Sequence, residues 1–529
     1  MDLSYSILKK LNEIGIALSE EHDIPRLHER ILQNAKELTH ADGGTIYTVL
    51  EGKKLRFETI LSNSLKLHLG GTSSNAITFE DIPLFLETGQ PNNNLIVTYS
   101  VNYKQTVNIE DAYKKGANFS GTREFDAQTG YLTKAVLTIP MKNYAEDVIA
   151  VLQLLNPTNP IDGTISSFSQ EDIQLAESFA SQAAIALNNQ LLIRNLRELF
   201  EAVIRMMTSA IDEISPSTGN HAKRVPLITE LLAEAINRTK EGPFKEFLFN
   251  HKQLYELKIA ALLHDCGKIT IPTHIIEKRK KLESVYDRSE IIDVRFKGLE
   301  IKEENHLLKK KLDWLANYHP DSLRVAESFF DSFDQAYHQK ILSIKEDQKF
   351  IHRCNDSTEP VTSETIKNID RIASLYWNEN EPILTSEERE NLLIPEGNLT
   401  EKEQSIIRNH SLMTYRMLSQ IPFPKELSAV PEIAASHHER MDGKGYPRGL
   451  KGQDILIQSR ILAIADVFES LSSPDRPYRK PATISEVLKT MSRMVKAGYL
   501  DPSLFDIFIK DKVYLKYAIH YLMPEQIDV

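Results

Sequence analysis

The rhythm of apolar positions changes twice along the chain. To about residue 190, helical and strand-like spacings alternate. Residues 5–20 and 25–39 carry apolar side chains at helical intervals. Gly43-Gly44 then leads into the strand-like run Thr45-Ile46-Tyr47-Thr48-Val49-Leu50, with Leu55 to Ile60 as its hairpin partner. Ala135 to Met141 and Val148 to Leu155 form a second strand pair around the turn-prone Lys142-Asn143-Tyr144-Ala145-Glu146-Asp147. Ser169, with Asp172 one turn on, marks a helix start of capping-box type. From there to about Asp212 there is neither proline nor glycine, and Leu192, Leu196, Leu199, Val203, Met206 and Ala210 step alternately by four and three, a coiled-coil seam. Beyond it the pattern is helical to the end, interrupted by proline-containing turns. These rhythms predict a multidomain α+β chain: a mixed N-terminal domain with an antiparallel sheet, a linker helix, and an all-α C-terminal domain.

At 529 residues the chain is too long for a single hydrophobic core. A net charge of −11 argues against a duplex-DNA binder. It leaves room for a small anionic substrate, because the potential of a site is set by the groups around it. Two cysteines, Cys266 and Cys354, give no disulfide framework and fit a reducing cytosol. Cys266 reads as a small buried filler rather than a thiolate ligand. The first residues lack a basic region followed by an apolar core, and no apolar run approaches the ~20 residues that span a bilayer. A cytoplasmic protein without a membrane span is expected.

Candidate chemistry gathers in the C-terminal half. His437-His438-Glu439-Arg440-Met441-Asp442-Gly443-Lys444-Gly445-Tyr446-Pro447 joins two adjacent histidines to an acidic, glycine-rich loop. Neutral imidazoles are the commonest protein ligands for transition metals, and two together are seldom spent on packing. The apolar run Ile259-Ala260-Ala261-Leu262-Leu263 ends in His264-Asp265, whose side chains leave a helix in different directions. Both can meet one binuclear centre at the helix end, with the carboxylate as bridge. Gly267 permits a close turn and Lys268 supplies a cation for a phosphate. His221 lies upstream with Arg224 one turn later, and His410 sits on a helix opened by the Thr400–Glu403 capping box. Asp466 interrupts the apolar run Ile461 to Phe468, where a carboxylate must be paired or metal-bound. Lys278-Arg279-Lys280-Lys281 and Lys309-Lys310-Lys311 read as solvated helix faces. His274, His306, His319, His338 and His352 read as surface or core residues.

Two resemblances follow. The stretches Leu38 to Tyr47, Thr129 to Met141 and Ala150 to Asn156 resemble a GAF domain, a small antiparallel-sheet sensor module. Cyclic-nucleotide-binding members carry an Asn-Lys…Phe-x-x-x-Asp-Glu signature. Asn156, Phe168 and Asp172 fit it, but Pro157 replaces the lysine and Ile173 the glutamate. A sensor of some other small ligand and a ligand-less, dimerising domain both remain open. The set His221 with Arg224, His264-Asp265-Cys266-Gly267-Lys268, His410, the His437 to Pro447 loop, and Asp466 followed by Asp475-Arg476-Pro477-Tyr478-Arg479-Lys480 resembles an HD-GYP domain of the HD superfamily of metal phosphohydrolases. That resemblance implies hydrolysis of cyclic di-GMP to pGpG or GMP, or of 3′,3′-cyclic GMP-AMP. It makes His221, His264, Asp265, His410, His437, His438 and Asp466 ligands of two divalent transition-metal ions, iron or manganese, with Asp265 bridging. Asp265 and Lys268 become the catalytic residues, and Lys268, Arg476, Arg479 and Lys480 the contacts to substrate phosphates. Hydrolysis of another nucleotide, and a non-catalytic HD-GYP adaptor binding cyclic-di-GMP synthases, are the alternatives; a complete ligand set argues against the latter.

The organisation implied is a GAF sensor over residues 1–190, a coiled-coil-like signalling helix over 191–215 and an HD-GYP phosphodiesterase domain over 200–529. A homodimer is expected, its parallel helices carrying a signal from sensor to enzyme; packing of that helix on its own domain is the plainer alternative. Two departures stand out. Members with three metals carry a glutamate four residues before the first histidine, where this chain has Ser217, so a binuclear centre is expected. An α-helical insertion at about 277–396 occupies what is usually a short connection.

Overall fold

The structure is a computed structural model. It describes residues 2–51, 53–114, 126, 130–159, 162–214, 220–317, 323–356, 360–473 and 481–529. Two units emerge, Met1–Phe200 and Glu201–Val529.

In the first unit the two helical runs become α1 (Asp2–Ser19) and α2 (Ile24–Thr39). Asp23 caps α2 by accepting the Arg26 N–H at 2.8 Å. The strand-like runs become β1 (Ala41–Leu50) and β2 (Lys54–Ser62), followed by β3 (Leu67–Gly70), β4 (Ile82–Pro83), α3 (Ile96–Tyr103) and β5 (Val107–Ile109). The second predicted pair becomes β6 (Val136–Lys142) and β7 (Val148–Pro157). The antiparallel sheet runs β3-β2-β1-β7-β6-β5, with β4 on β2. Asn143 closes the β6–β7 turn by accepting the N–H groups of Ala145 and Asp147, both at 2.9 Å. On one sheet face Ile46, Leu152 and Leu154 share a core with Leu27, Ile31, Leu32 and Phe179.

Phe179 belongs to α4 (Gln170–Ile214), 45 residues long. The Asp172 carboxylate accepts the Ser169 N–H at 2.9 Å and the Ser169 hydroxyl accepts the Asp172 N–H at 3.1 Å, as the capping pattern predicts. Leu196 and Leu199 on its seam are 64% and 61% exposed. Asn156, one of the signature positions, is a structural tie. Its side chain accepts the N–H groups of Lys134 (2.8 Å) and Ala135 (3.1 Å) and donates to the Leu132 carbonyl at 2.8 Å.

The second unit is helical: α5 (His221–Arg238), α6 (His251–Leu263), α7 (Thr273–Ile276), α8 (Ser289–Asn317), α9 (Leu323–Asp356), α10 (Ser363–Ala373), α11 (Ser386–Leu392), α12 (Glu401–Leu418), α13 (Val430–Ala435), α14 (Ile457–Ser472), α15 (Ile484–Lys496), α16 (Pro502–Lys510) and α17 (Val513–Tyr521). Helices α8 to α11 occupy the region read from the sequence as an insertion and have a core of their own that includes Ile292, Phe296, Leu299, Ile344, Ile351, Ile369 and Leu392. Helices α8 and α9 lie antiparallel: Lys311 meets Asp334 at 2.6 Å, while Asp293 meets Gln348 at 2.7 Å and His352 at 2.8 Å.

The reading of Lys278 to Lys281 as a solvated helix face is corrected. The segment follows α7 as loop, and Lys278 and Lys281 are buried. Lys278 Nζ donates to Asn391 at 3.0 Å and to both Glu403 oxygens at 2.9 Å, and Lys281 Nζ donates to the Ile394 carbonyl at 3.0 Å. Partners supplied from the far side of the insertion, invisible in local sequence, offset the burial of these cations.

Candidate metal centre

Five segments of the second unit converge on one buried site. Helix α6 starts with a reciprocal Asn250–Gln253 capping box and ends at His264. Asp265 opens a short 3-10 turn, Cys266–Thr270, which folds back against α12. Gly267 is what permits this approach: a Cβ there would stand 2.1 Å from the His410 carbonyl oxygen and 2.6 Å from the Thr414 nitrogen. The Thr414 hydroxyl fixes the contact, accepting the Gly267 N–H at 3.0 Å and donating to the His264 carbonyl at 3.1 Å. His264-Asp265 and His410 are thereby held in register across the insertion.

The double histidine follows α13. Gly445 lies so close to it that a Cβ would stand 2.6 Å from the His438 carbonyl oxygen. Glu439 holds the loop by accepting the N–H groups of Arg448 and Leu450, both at 2.8 Å. Tyr446 packs its ring on His438, with centroids 4.8 Å apart. His221 starts α5, and Asp466 projects from α14 to within 3.2 Å of its Nε2.

All seven sequence-predicted ligand residues meet here. The ligating atoms of His221, His264 and Asp265 form one group and those of His410, His437 and His438 another, each within 4.8 Å. Asp265 lies between them. Its Oδ2 is 3.5 Å from His221 Nε2 and 3.3 Å from His264 Nε2; its Oδ1 is 3.5 Å from His410 Nε2 and 3.9 Å from His437 Nε2. Lys268 Nζ, at the partly exposed rim, reaches Asp265 Oδ2 at 2.6 Å.

The protein orients these imidazoles through their Nδ1 atoms. His264, His410 and His437 each place Nδ1 on the carbonyl three residues back, at 2.7, 2.6 and 2.6 Å. A donated Nδ1–H leaves Nε2 as a bare acceptor facing the centre. His264 Nε2, His437 Nε2 and Asp265 Oδ1 are buried without a hydrogen-bond partner. Buried polar atoms rarely go unsatisfied, and a divalent cation would satisfy them together.

Electrostatics agree. Burial and the neighbouring imidazoles hold His437 well below the usual histidine range, and burial takes His438 down to about 3. His410 is also lowered by burial. Burial works against the Asp265 carboxylate, but His264, Lys268 and His221 outweigh it and keep it ionised. Asp466 is likewise held down by His221 despite its burial. Neutral imidazoles and ionised carboxylates are the protonation states that metal ligands require. His221 departs from this: burial lowers it, but hydrogen bonds to Asp265, Asp466 and Glu469 outweigh burial and raise it well above the usual histidine range, so a cation bound there would have to displace its proton. Burial raises the Cys266 thiol to about 11, which suits the filler reading.

Glu469 was not foreseen. It lies one turn after Asp466, is 1% exposed, and brings Oε2 to 2.5 Å from His221 Nδ1. Its other oxygen stands 3.5 Å from the Arg224 guanidinium, an ion-pair distance rather than a hydrogen bond. A second acid at i+3 in an apolar helix is the signal that could have found it. Arg476, Arg479, Lys480 and Ser217 lie outside the described residues.

Comparison with known proteins follows the same division. The GAF domain family model matches residues 23–187, and two HD domain models match residues 218–373 and 387–504. The chain therefore carries a GAF domain followed by an HD domain. Among curated relatives, a 3′3′-cGAMP-specific phosphodiesterase 1 of Vibrio cholerae is 43% identical over 122 residues, 23% of this chain and 27% of that protein. A cyclic di-GMP phosphodiesterase of Thermotoga maritima is 38% identical over 119 residues, 22% of this chain and 32% of that protein. These matches thus span about a third or less of the relatives' length. A solved GAF domain/HD domain protein of Geobacter sulfurreducens aligns at 13% identity, over 33% of this chain and 98% of that one, with a TM-score of 0.23.

Proposed function

We propose that the chain is a metal-dependent phosphodiesterase hydrolysing cyclic di-GMP, regulated by its N-terminal GAF domain. The observation that carries this reading is the placement of Asp265 between two groups of ligating side chains, one facing each carboxylate oxygen. His221, His264, Asp265 and Asp466 would hold one divalent ion, and Asp265, His410, His437 and His438 a second; iron or manganese suits such a nitrogen–oxygen set. Bound ions there supply Lewis acidity toward a phosphodiester and acidify water.

The chain's own groups complete the chemistry. Lys268 at the rim contacts a substrate phosphate and stabilises the charge that builds on it, and Arg476, Arg479 and Lys480 contribute further cations. Tyr446 packs its ring, tilted, against His438. No covalent protein nucleophile is needed. Residues 1–190 act as sensor, 191–215 as a dimeric signalling helix and 200–529 as the phosphodiesterase domain, in the cytoplasm. A mainly apolar cavity of about 160 Å³, lined by residues including Tyr47, Phe57, Ile60, Val97 and Tyr131, supports a small-ligand sensor. No helix among the described residues is long and apolar enough to cross a membrane.

The test is the purified chain with manganese or ferrous iron under reducing conditions, incubated with cyclic di-GMP and with 3′,3′-cyclic GMP-AMP. Linear product is expected, and it should vanish in His264→Ala and Asp265→Ala together with metal binding. No product from either nucleotide in the metal-loaded wild type refutes the reading. The 43% identity to a cGAMP-specific enzyme favours a second reading, in which 3′,3′-cyclic GMP-AMP is the better substrate. The ratio of the two kcat/KM values decides between them.

A further inference from the structure

Helix α8 carries apolar residues on two faces. Ile292, Phe296 and Leu299 turn inward to the insertion core. On the opposite side Val294, Ile301, Leu308 and Leu315 recur every seventh residue, and they are 66%, 49%, 50% and 52% exposed. Ile291, Gly298, Asn305 and Leu312 fall midway between them, so the two series form the a and d positions of a heptad pattern. At the level of Gly298 the chain covers this face itself: a Cβ there would stand 2.5 Å from the Trp377 ring, and Lys302 Nζ donates to the Tyr376 carbonyl at 2.8 Å. Further along, Ile301, Leu308, Leu312 and Leu315 remain exposed around Asn305.

We propose that this seam pairs in parallel with the same seam of a second copy of the chain. Three observations select that occupant. A single asparagine at an a position is the device that fixes the register of two identical parallel helices, its amide bonding to its own counterpart. In that register Glu304 at g faces Lys309 at e of the second copy, an attractive pair. The one pairing that would repel, Lys297 against Lys302, is eased within each chain: Lys297 pairs with Glu300 at 2.7 Å, and Lys302 directs its Nζ to the Tyr376 carbonyl. The apolar stripe repeats at seven residues, the interval of a helix–helix seam. This interface is distinct from the seam on α4 and brings together two insertions rather than two signalling helices.

Site-specific cross-linking of the full chain tests it. Cys266 and Cys354 are buried, so an introduced surface thiol is read without competition. Under mild oxidation, Leu308→Cys should give a covalent dimer. Adding Ile301→Glu and Leu312→Glu should reduce that dimer at least tenfold, with an unchanged circular-dichroism melt. Leu199→Cys on α4 reports the other seam, and its cross-link should survive the two glutamates. The proposal is overturned if Leu308→Cys stays unlinked, whether or not Leu199→Cys links, as it would if the lysine-flanked face serves an acidic partner helix. Linking that persists through both glutamates also overturns it. So does linking only in a mixture of Ile301→Cys and Leu308→Cys chains, which marks antiparallel pairing.

Discussion

Replacing Glu469 by glutamine keeps the side chain's shape and removes its charge. The buried carboxylate sits 2.5 Å from His221 Nδ1, with the Arg224 guanidinium 3.5 Å from its other oxygen. It acts on metal binding only through His221, by fixing which ring nitrogen carries the proton and by raising the basicity of Nε2. Carboxylates in that position are worth about 10–100-fold in metal affinity, which corresponds to about 1.4–2.7 kcal/mol. Glu469→Gln should therefore weaken manganese binding within that range, measured by calorimetric titration of chelator-treated protein. Glu469→Ala should do more, since it also removes the acceptor of the His221 Nδ1–H, leaving a buried polar group unsatisfied at a cost of about 1–3 kcal/mol. Wild-type manganese affinity in a folded Glu469→Gln chain would refute the idea that His221 is tuned through its far nitrogen.

Gly267→Ala should lower stability by about 1–3 kcal/mol, read as a lower melting temperature, and weaken metal binding, because the added methyl pushes α12 and His410 off the turn. Lys278→Ala removes the cation paired with Glu403, whose carboxylate keeps only its Thr400 bonds, and should cost about 1.5–3 kcal/mol, visible as a shifted urea midpoint. Chelation of metal present at ~100 times its Kd should lower stability by about 2.7 kcal/mol; an unchanged melting curve would argue that the site is empty in use. In the first unit, burial and then Arg194 lower His28 from 6.5 to about 4. Between those values the unfolded chain binds the proton more readily than the folded one. Stability contributed by the neutral ring is thus present above pH 6.5 and lost as pH falls, by about 3 kcal/mol at pH 4. Hydrogen exchange of β1 and β7 peptides should show that slope, and His28→Leu should flatten it.

The clustering of the candidate ligands was legible because metal chemistry restricts residue types severely. His264-Asp265, His437-His438 and an aspartate in an apolar helix are hard to explain by packing, and these segments do meet. The strand pairs and the Ser169 and Thr400 caps were legible because alternation and capping are local signals. What escaped notice depends on contacts between distant segments. Glu469 gains its role only from His221, a contact across 248 residues of sequence. Gly267 announced a turn but not the α12 backbone pressed against it. The Lys278 to Lys281 run looked solvated because its partners Asn391, Glu403 and Ile394 come more than a hundred residues later. Asn156 matched a ligand-binding signature while serving as a hydrogen-bonded brace for the Leu132 to Ala135 segment.

The Lys278–Glu403 contact reaches beyond stability. It ties the chain's exit into the insertion to its return at the start of α12, so the intervening helices hang from a closed neck. Loop-closure entropy grows only slowly with length, by about 0.6 kcal/mol per doubling, and a clasped neck makes the metal centre nearly indifferent to what is suspended from it. With the neck closed, movement of the suspended helices need not displace His264 and His410, which stand on either side of it.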